Sequence, residues 1–236
     1  MTYLVLGPPA LEGEDQPPRA LPLLGFEIED AAVRRVVEGY TISQALQPLR
    51  LILRLEDEEF LLDRPPMLAA LARRLHKGLE PYKVTVRENE PGHYDVEDPG
   101  VLRGSVRLVA SAPGRRVYFA QGDYRALANL LHLTGAMVVT LRYRQGEDPG
   151  EPTLVNEQHL YIRIDNVVVH GLLKVLSPLI HAIINKRAAN GNSAAEELSI
   201  RVTKDPAGLY MEMKDWPEIT QEQRREFGLH FGIAED

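Results

Sequence analysis

The chain has 236 residues, 44% hydrophobic and 26% charged, values that suit one substantial folded core and exclude whole-chain disorder. Asp+Glu number 34 against Lys+Arg 27, a net charge of −7. That balance aids solubility and disfavours broad phosphate-backbone binding, so no nucleic-acid partner is expected. There are no cysteines, which rules out disulfides, thiolate metal sites and cysteine nucleophiles. This fits a cytoplasmic protein. Arg73-Arg74, Arg115-Arg116 and Arg224-Arg225 are isolated pairs and read as solvated surface.

The first residues lack the basic and apolar regions of a signal peptide. Residues 1–25 hold Pro8, Pro9, Pro17, Pro18 and Pro22 and read as a proline-rich arm. A single α+β core is expected over 26–212, with a tail and a short helix over 213–236. Leu49, Leu51, Leu53 and Leu55 alternate as a strand does, until the acidic run Glu56–Glu59 breaks the pattern and reads as a solvated loop. Met67, Leu68, Leu71, Ala72 and Leu75 then recur at helical spacing, predicting a helix at about 65–77 that opens on Pro65-Pro66.

From Lys83 the signal is β. Short strands are expected at 83–87 and 93–96. Leu102 to Ala110 and Val117 to Ala120 flank Ala112-Pro113-Gly114 and make the clearest hairpin. Asp123 has the chemistry of a helix cap, with Leu127, Leu130 and Leu131 following on one face. Two strands come next, at 136–144 and 154–164. Val138 breaks the alternation of the first. On the second, Glu157, His159, Tyr161 and Arg163 share a face that reads as solvated, with Arg142 and Arg144 as neighbours.

The stretch Val167–Ile184 is the most apolar, but His170, Lys174 and His181 interrupt it. It predicts a core helix rather than an integral membrane span. Pro178 and Asn190-Gly191-Asn192 predict interruptions, and Ser193–Glu196 has capping-box spacing for a restart. Thr220 with Gln223 offers a second box. The fold class is therefore α+β: an antiparallel sheet packed against a long, interrupted C-terminal helix.

No G-x-S-x-G, phosphate-cradling loop, H-E-x-x-H or calcium-loop pattern occurs, so no metal site and no cofactor is expected.

The order of elements from about Val101 to Asp205 resembles the helix-grip fold of START-like proteins, which include lipid-transfer domains and polyketide cyclases. The resemblance is topological and transfers no residue by position. It implies an apolar small molecule or lipid held in a cavity between sheet and helix. The residues implied as lining are Leu141, Tyr143, Leu160, Ile162, Leu176, Ile180 and Ile183. The same periodicity also describes a solid core, and then the protein would be an interaction or scaffold protein. A third reading is a cyclase- or hydrolase-like enzyme on the same scaffold. It needs polar groups inside, with Tyr143 first and Tyr118 next. The balance leans against an enzyme.

Overall fold

Alternating apolar side chains assemble the long strands into one sheet, and the other elements lie on its two faces. The computed structural model describes residues 21–76, 84–126, 131–146, 150–165 and 173–233, and of 126, 131 and 173–180 the backbone alone. Residues 1–20 of the proline-rich segment lie outside these. The elements are β1 (Leu21–Leu23), β2 (Phe26–Ile28), α1 (Ala31–Glu38), β3 (Ile42–Ala45), β4 (Leu49–Ile52), α2 (Leu55–Leu62) and α3 (Pro65–Leu75). They continue with β5 (Thr85–Glu90), β6 (His93–Asp98), β7 (Leu102–Ala112), β8 (Arg115–Ala126), β9 (Leu131–Gln145) and β10 (Thr153–Ile164). The C-terminal part holds α4 (Leu173–Lys204), α5 (Pro206–Glu212), a 3-10 turn (Met213–Asp215) and α6 (Gln221–His230).

The main sheet is 8-stranded, in the order β3-β10-β9-β8-β7-β6-β5, with β4 also pairing β10. Every described pairing in it is antiparallel. The hairpin at Pro113-Gly114 forms as expected, with Ala112 opposite Arg115. Gly114 has φ 75°, and a Cβ there would meet the Tyr143 carbonyl oxygen at 2.8 Å, so the turn requires glycine. Gly104, Gly122 and Gly135 are successive cross-strand partners on β7, β8 and β9. Cβ atoms at these positions would stand 2.3, 2.4 and 2.2 Å from backbone oxygens of adjacent strands. Such a glycine row lets the adjacent backbones approach closely.

The α+β arrangement is the expected one, an antiparallel sheet against a long C-terminal helix, and it resembles the helix-grip fold. Its helix differs in detail. α4 runs unbroken through Pro178 and Gly191, and the Ser193–Glu196 box falls inside it. A mid-helix glycine costs about 1 kcal/mol. Burying Leu198 and Val202 outweighs that, at about 1.5–3 kcal/mol for each such side chain. Pro178 falls in the second turn, near the helix start. Pro206 does stop α4, and it opens α5 with Asp205 accepting from the Gly208 N–H at 2.9 Å.

Two further expectations are overturned. Asp123 does not cap a helix: β8 and β9 continue as strands, with Asp123 opposite Thr134 and accepting from its hydroxyl at 2.6 Å. Leu127 and Leu130 lie outside the described residues. The run Glu56–Glu59 is no solvated loop but the start of α2, with Asp57 and Glu58 buried.

The sheet is covered on both faces. On one, α2, α3, α4, α5 and α6 enclose a core with Leu141, Tyr143 and Leu154. On the other, β1, β2 and α1 seal Val117, Phe119 and Val138. Asp30 caps α1 by accepting from the Ala32 and Val33 N–H groups at 2.9 and 3.1 Å, and it pairs with Arg107 of β7. This cover explains why Val138 breaks the alternation. It also means the outer face is only partly solvated. Glu157 is exposed, whereas His159 and Tyr161 are half-buried, with Ser43 Oγ and His159 Nε2 2.8 Å apart.

Candidate functional site

Cross-strand register decides which side chains look toward the helices. Arg116, Tyr118 and Ala120 of β8 stand opposite Leu141, Val139 and Met137 of β9. Those in turn stand opposite Gln158, Leu160 and Ile162 of β10, with Asn156 opposite Tyr143. On the far side, Leu108 and Val106 of β7 pair with Tyr118 and Ala120. This surface is apolar over its middle and polar at the end nearest α2.

The middle is not sealed. Val106, Leu108, Tyr118, Ala120, Met137 and Val139 all remain partly accessible. Val117, Phe119 and Val138, on the opposite face of the same strands, are 0, 6 and 0% exposed. On the helix side, Leu141, Tyr143, Leu154 and Leu160 are buried beside this partly accessible patch.

The polar end is built around Arg116, which is 1% exposed. Its Nε donates to the Tyr143 hydroxyl at 3.0 Å, and its Nη2 to Asp63 at 2.7 Å and to Glu59. Burial pulls the guanidinium pKa down, but Glu59 and Tyr143 outweigh it and hold Arg116 above its ordinary value. Burial likewise pushes Glu59 up, and Arg116 with the Gly114 N–H holds it below the usual carboxylate range. Next along α2, Glu58 is 7% exposed and accepts from Asn156 Nδ2 at 3.3 Å. Burial pushes Glu58 up to about 7, more than Asn156 and the Arg116 charge can offset. Burial also raises Tyr118 and Tyr143. Two buried atoms of this cluster, Arg116 Nη1 and Asn156 Oδ1, have no hydrogen-bond partner among the described residues.

α2 carries a third acidic contact. Asp57 accepts a bidentate pair of bonds from Arg54 at 2.8 and 3.0 Å, and its Oδ1 lies 2.9 Å from His230 Nε2 of α6. The His230 ring stacks on Phe60 with centroids 4.0 Å apart. This contact ties the C-terminal helix to the helix that holds Arg116.

Of the residues singled out from sequence, Leu141, Tyr143, Leu160 and Ile162 share the helix-facing surface. Leu141 and Tyr143 pack in the main core, and Ile162 joins a smaller cluster with Ile42, Ile164 and Ile184. Ile183 is half-buried on α4. The side chains of Leu176 and Ile180 lie outside the described residues. Tyr118 and Tyr143 both reach the Arg116 cluster. Arg116 itself contradicts the surface reading of Arg115-Arg116. The available signal was its place two residues before Tyr118, on the same face of a strand. Nothing in the spacing of Glu58, Glu59 and Asn156 points to them.

No family model matches the chain, and no curated protein sequence matches it significantly. Solved structures do. Norcoclaurine synthase of Thalictrum flavum, a point mutant with a transition-state analogue, is similar at 15% identity and TM-score 0.46, covering 69% of this chain and 97% of that one. The same enzyme in complex with dopamine and hydroxybenzaldehyde gives 15% identity and TM-score 0.44, covering 73% and 94%. A conserved protein of Geobacillus kaustophilus gives 10% identity and TM-score 0.44, covering 67% and 95%. Among the described residues no helix is long and apolar enough to cross a membrane, and no group of three or more His, Asp or Glu could hold a metal ion.

Proposed function

We propose that this protein binds a lipid or other small molecule with an apolar body, between the helix-facing sheet surface and α4, as a carrier or sensor. The observation that carries this reading is a patch of partly accessible apolar side chains on the helix side of the sheet, beside buried Leu141 and Leu160. Val106, Leu108, Met137 and Val139 lie on the side of the sheet that carries the helices and stay partly accessible. Apolar side chains on the covered side of a sheet gain free energy by burial, and a ligand would supply what the helices leave uncovered. Leu160 and Ile162 extend the surface along β10, and Leu176, Ile180 and Ile183 would face it from α4. We place this activity in the cytoplasm, in keeping with a chain that has no cysteine.

Mass spectrometry of the purified protein, native and then after organic extraction, tests the reading. The expected result is a stoichiometric apolar small molecule. Failing co-purification, a ligand at about 100 times its Kd stabilises by about 2.7 kcal/mol, which raises Tm by roughly 5–10 °C in a chain of this size. A clean apo mass with no thermal shift across a lipid panel points instead to a solid core and an interaction protein.

A further inference from the structure

The two halves of α4 are held in different ways. After Gly191, Ala194, Leu198, Ser199 and Val202 are each at most 2% exposed. There the Ile52 N–H of β4 donates to Ser199 Oγ at 3.3 Å, and the Thr203 hydroxyl donates to the Ile52 carbonyl at 2.6 Å. From His181 to Ser193 no residue is buried, and Ile184 packs half-buried beside Ile42 and Ile164. Polar groups tie this earlier stretch to the sheet on two sides. On one, Asn185 Oδ1 accepts from Gln44 Nε2 of β3 at 2.7 Å, and His181 Nδ1 lies 3.2 Å from Gln44 Oε1. On the other, Arg187 Nη1 stands 3.6 Å from Asp98 Oδ2 of β6, and the guanidinium lies 5.9 Å from the Tyr124 ring of β8. The Asp98 side chain is 5% exposed and that of Arg187 34%.

In the sheet, β10, β9, β8 and β7 lie between β3 and β6, so this stretch of α4 is tied down on both sides of the strands that carry the accessible patch. Ile162, in the same cluster as Ile184, stands opposite Met137 of that patch. A helical segment with no buried residue opens at low cost, because lifting it returns little apolar surface to water. Gly191 lies at the junction of the two halves, in mid-helix, with nothing within 4 Å of its built Cβ. A helix can bend at such a glycine without displacing a neighbour. We infer that the part of α4 before Gly191 is a gate over the binding surface, hinged at Gly191 and latched by Arg187 to Asp98. The inference rests on the binding reading above and adds how the ligand enters and leaves.

Hydrogen exchange and dye release, both on the full chain, test the gate. Amides over 183–190 are expected to exchange through a local opening, and those over 194–204 only with the whole. Arg187→Gln is expected to raise exchange over 183–190 about fivefold, the strong end of the range for a partly exposed ion pair, and to leave 194–204 unchanged. Release of the neutral dye N-phenyl-1-naphthylamine, followed by stopped flow, is expected to quicken about fivefold in the same variant. In the wild type, raising NaCl from about 0.05 to about 0.5 M should also quicken release by screening the latch, and in Arg187→Gln that salt effect should vanish. The wild-type salt series and exchange pattern decide the matter whether or not the variant folds. Dye uptake with release rates flat in salt, or exchange equal in both halves of α4, overturns the gate and leaves the binding reading standing. No dye uptake overturns the binding reading, and the gate with it.

Discussion

Asn156 of β10 donates to Glu58 of α2 at 3.3 Å, across the seam where the helix layer meets the sheet. Both side chains are buried, and burial pushes the Glu58 carboxyl up to about 7. An isolated buried carboxylate is costly, so the protein holds this group largely as the acid until the pH nears neutrality.

Because the folded pKa of Glu58 lies above its ordinary value of 4.5, the folded state binds the extra proton. The associated stability is fully present below about pH 4.5 and is lost as pH rises through about 7. Its size is roughly 3 kcal/mol. Glu58→Gln should remove this component, so urea denaturation at pH 5.5 and 8.5 should show the variant gaining on the wild type at the higher pH. His159, lowered by burial, acts in the opposite sense below its unfolded pKa, and comparing the two proteins cancels its effect. Parallel profiles would refute the assignment.

The Arg116 cluster predicts an asymmetry between its partners. Arg116→Met strips Glu59 and the Tyr143 hydroxyl of their shared partner and should cost about 3–5 kcal/mol. Glu59→Gln leaves Asp63 on the guanidinium at 2.7 Å and should cost less, about 1–2 kcal/mol. Equilibrium unfolding of both variants checks the order. Equal costs would show that Asp63 carries no share.

Two glycines should respond in opposite directions. A Cβ on Gly122 would meet the Arg103 carbonyl oxygen at 2.4 Å and Gly104 Cα at 2.7 Å, both backbone. Gly122→Ala should therefore destabilise by about 1–3 kcal/mol. Gly191 has nothing within 4 Å of its built Cβ and lies in mid-helix. Gly191→Ala should stabilise by about 0.5–1 kcal/mol. Melting curves of the two variants decide whether the close backbone approach at Gly122 and the continuous helix are as described.

Asp30 both caps α1 and pairs with Arg107, so it fastens the cover over Val117 and Val138. Asp30→Ala should cost about 1–2 kcal/mol. It should also speed hydrogen exchange in α1 ahead of the main sheet, since α1 is held to the sheet partly through this residue. Exchange that rises equally in both would mean the cover unfolds only with the whole.

The amino-acid sequence by itself determined the local elements whose signals are local. Alternation set the long strands, Pro113-Gly114 set the β7–β8 hairpin, and Thr220 with Gln223 set the capping box of α6, where both reciprocal bonds form. It also determined the fold class, because an antiparallel meander followed by a long apolar helical stripe has few ways to bury both. The tertiary structure decided what depends on partners distant in the chain. Gly191 stays helical because Leu198 and Val202, further along α4, are buried against the core. Asp123 joins a strand because Thr134 lies opposite. Arg116 is buried because α2 brings Glu59 to it across 57 residues of sequence separation. A lone arginine in an alternating strand looks the same whether its face meets water or a carboxylate. Only the packing of α2 on the sheet makes it the centre of the candidate site.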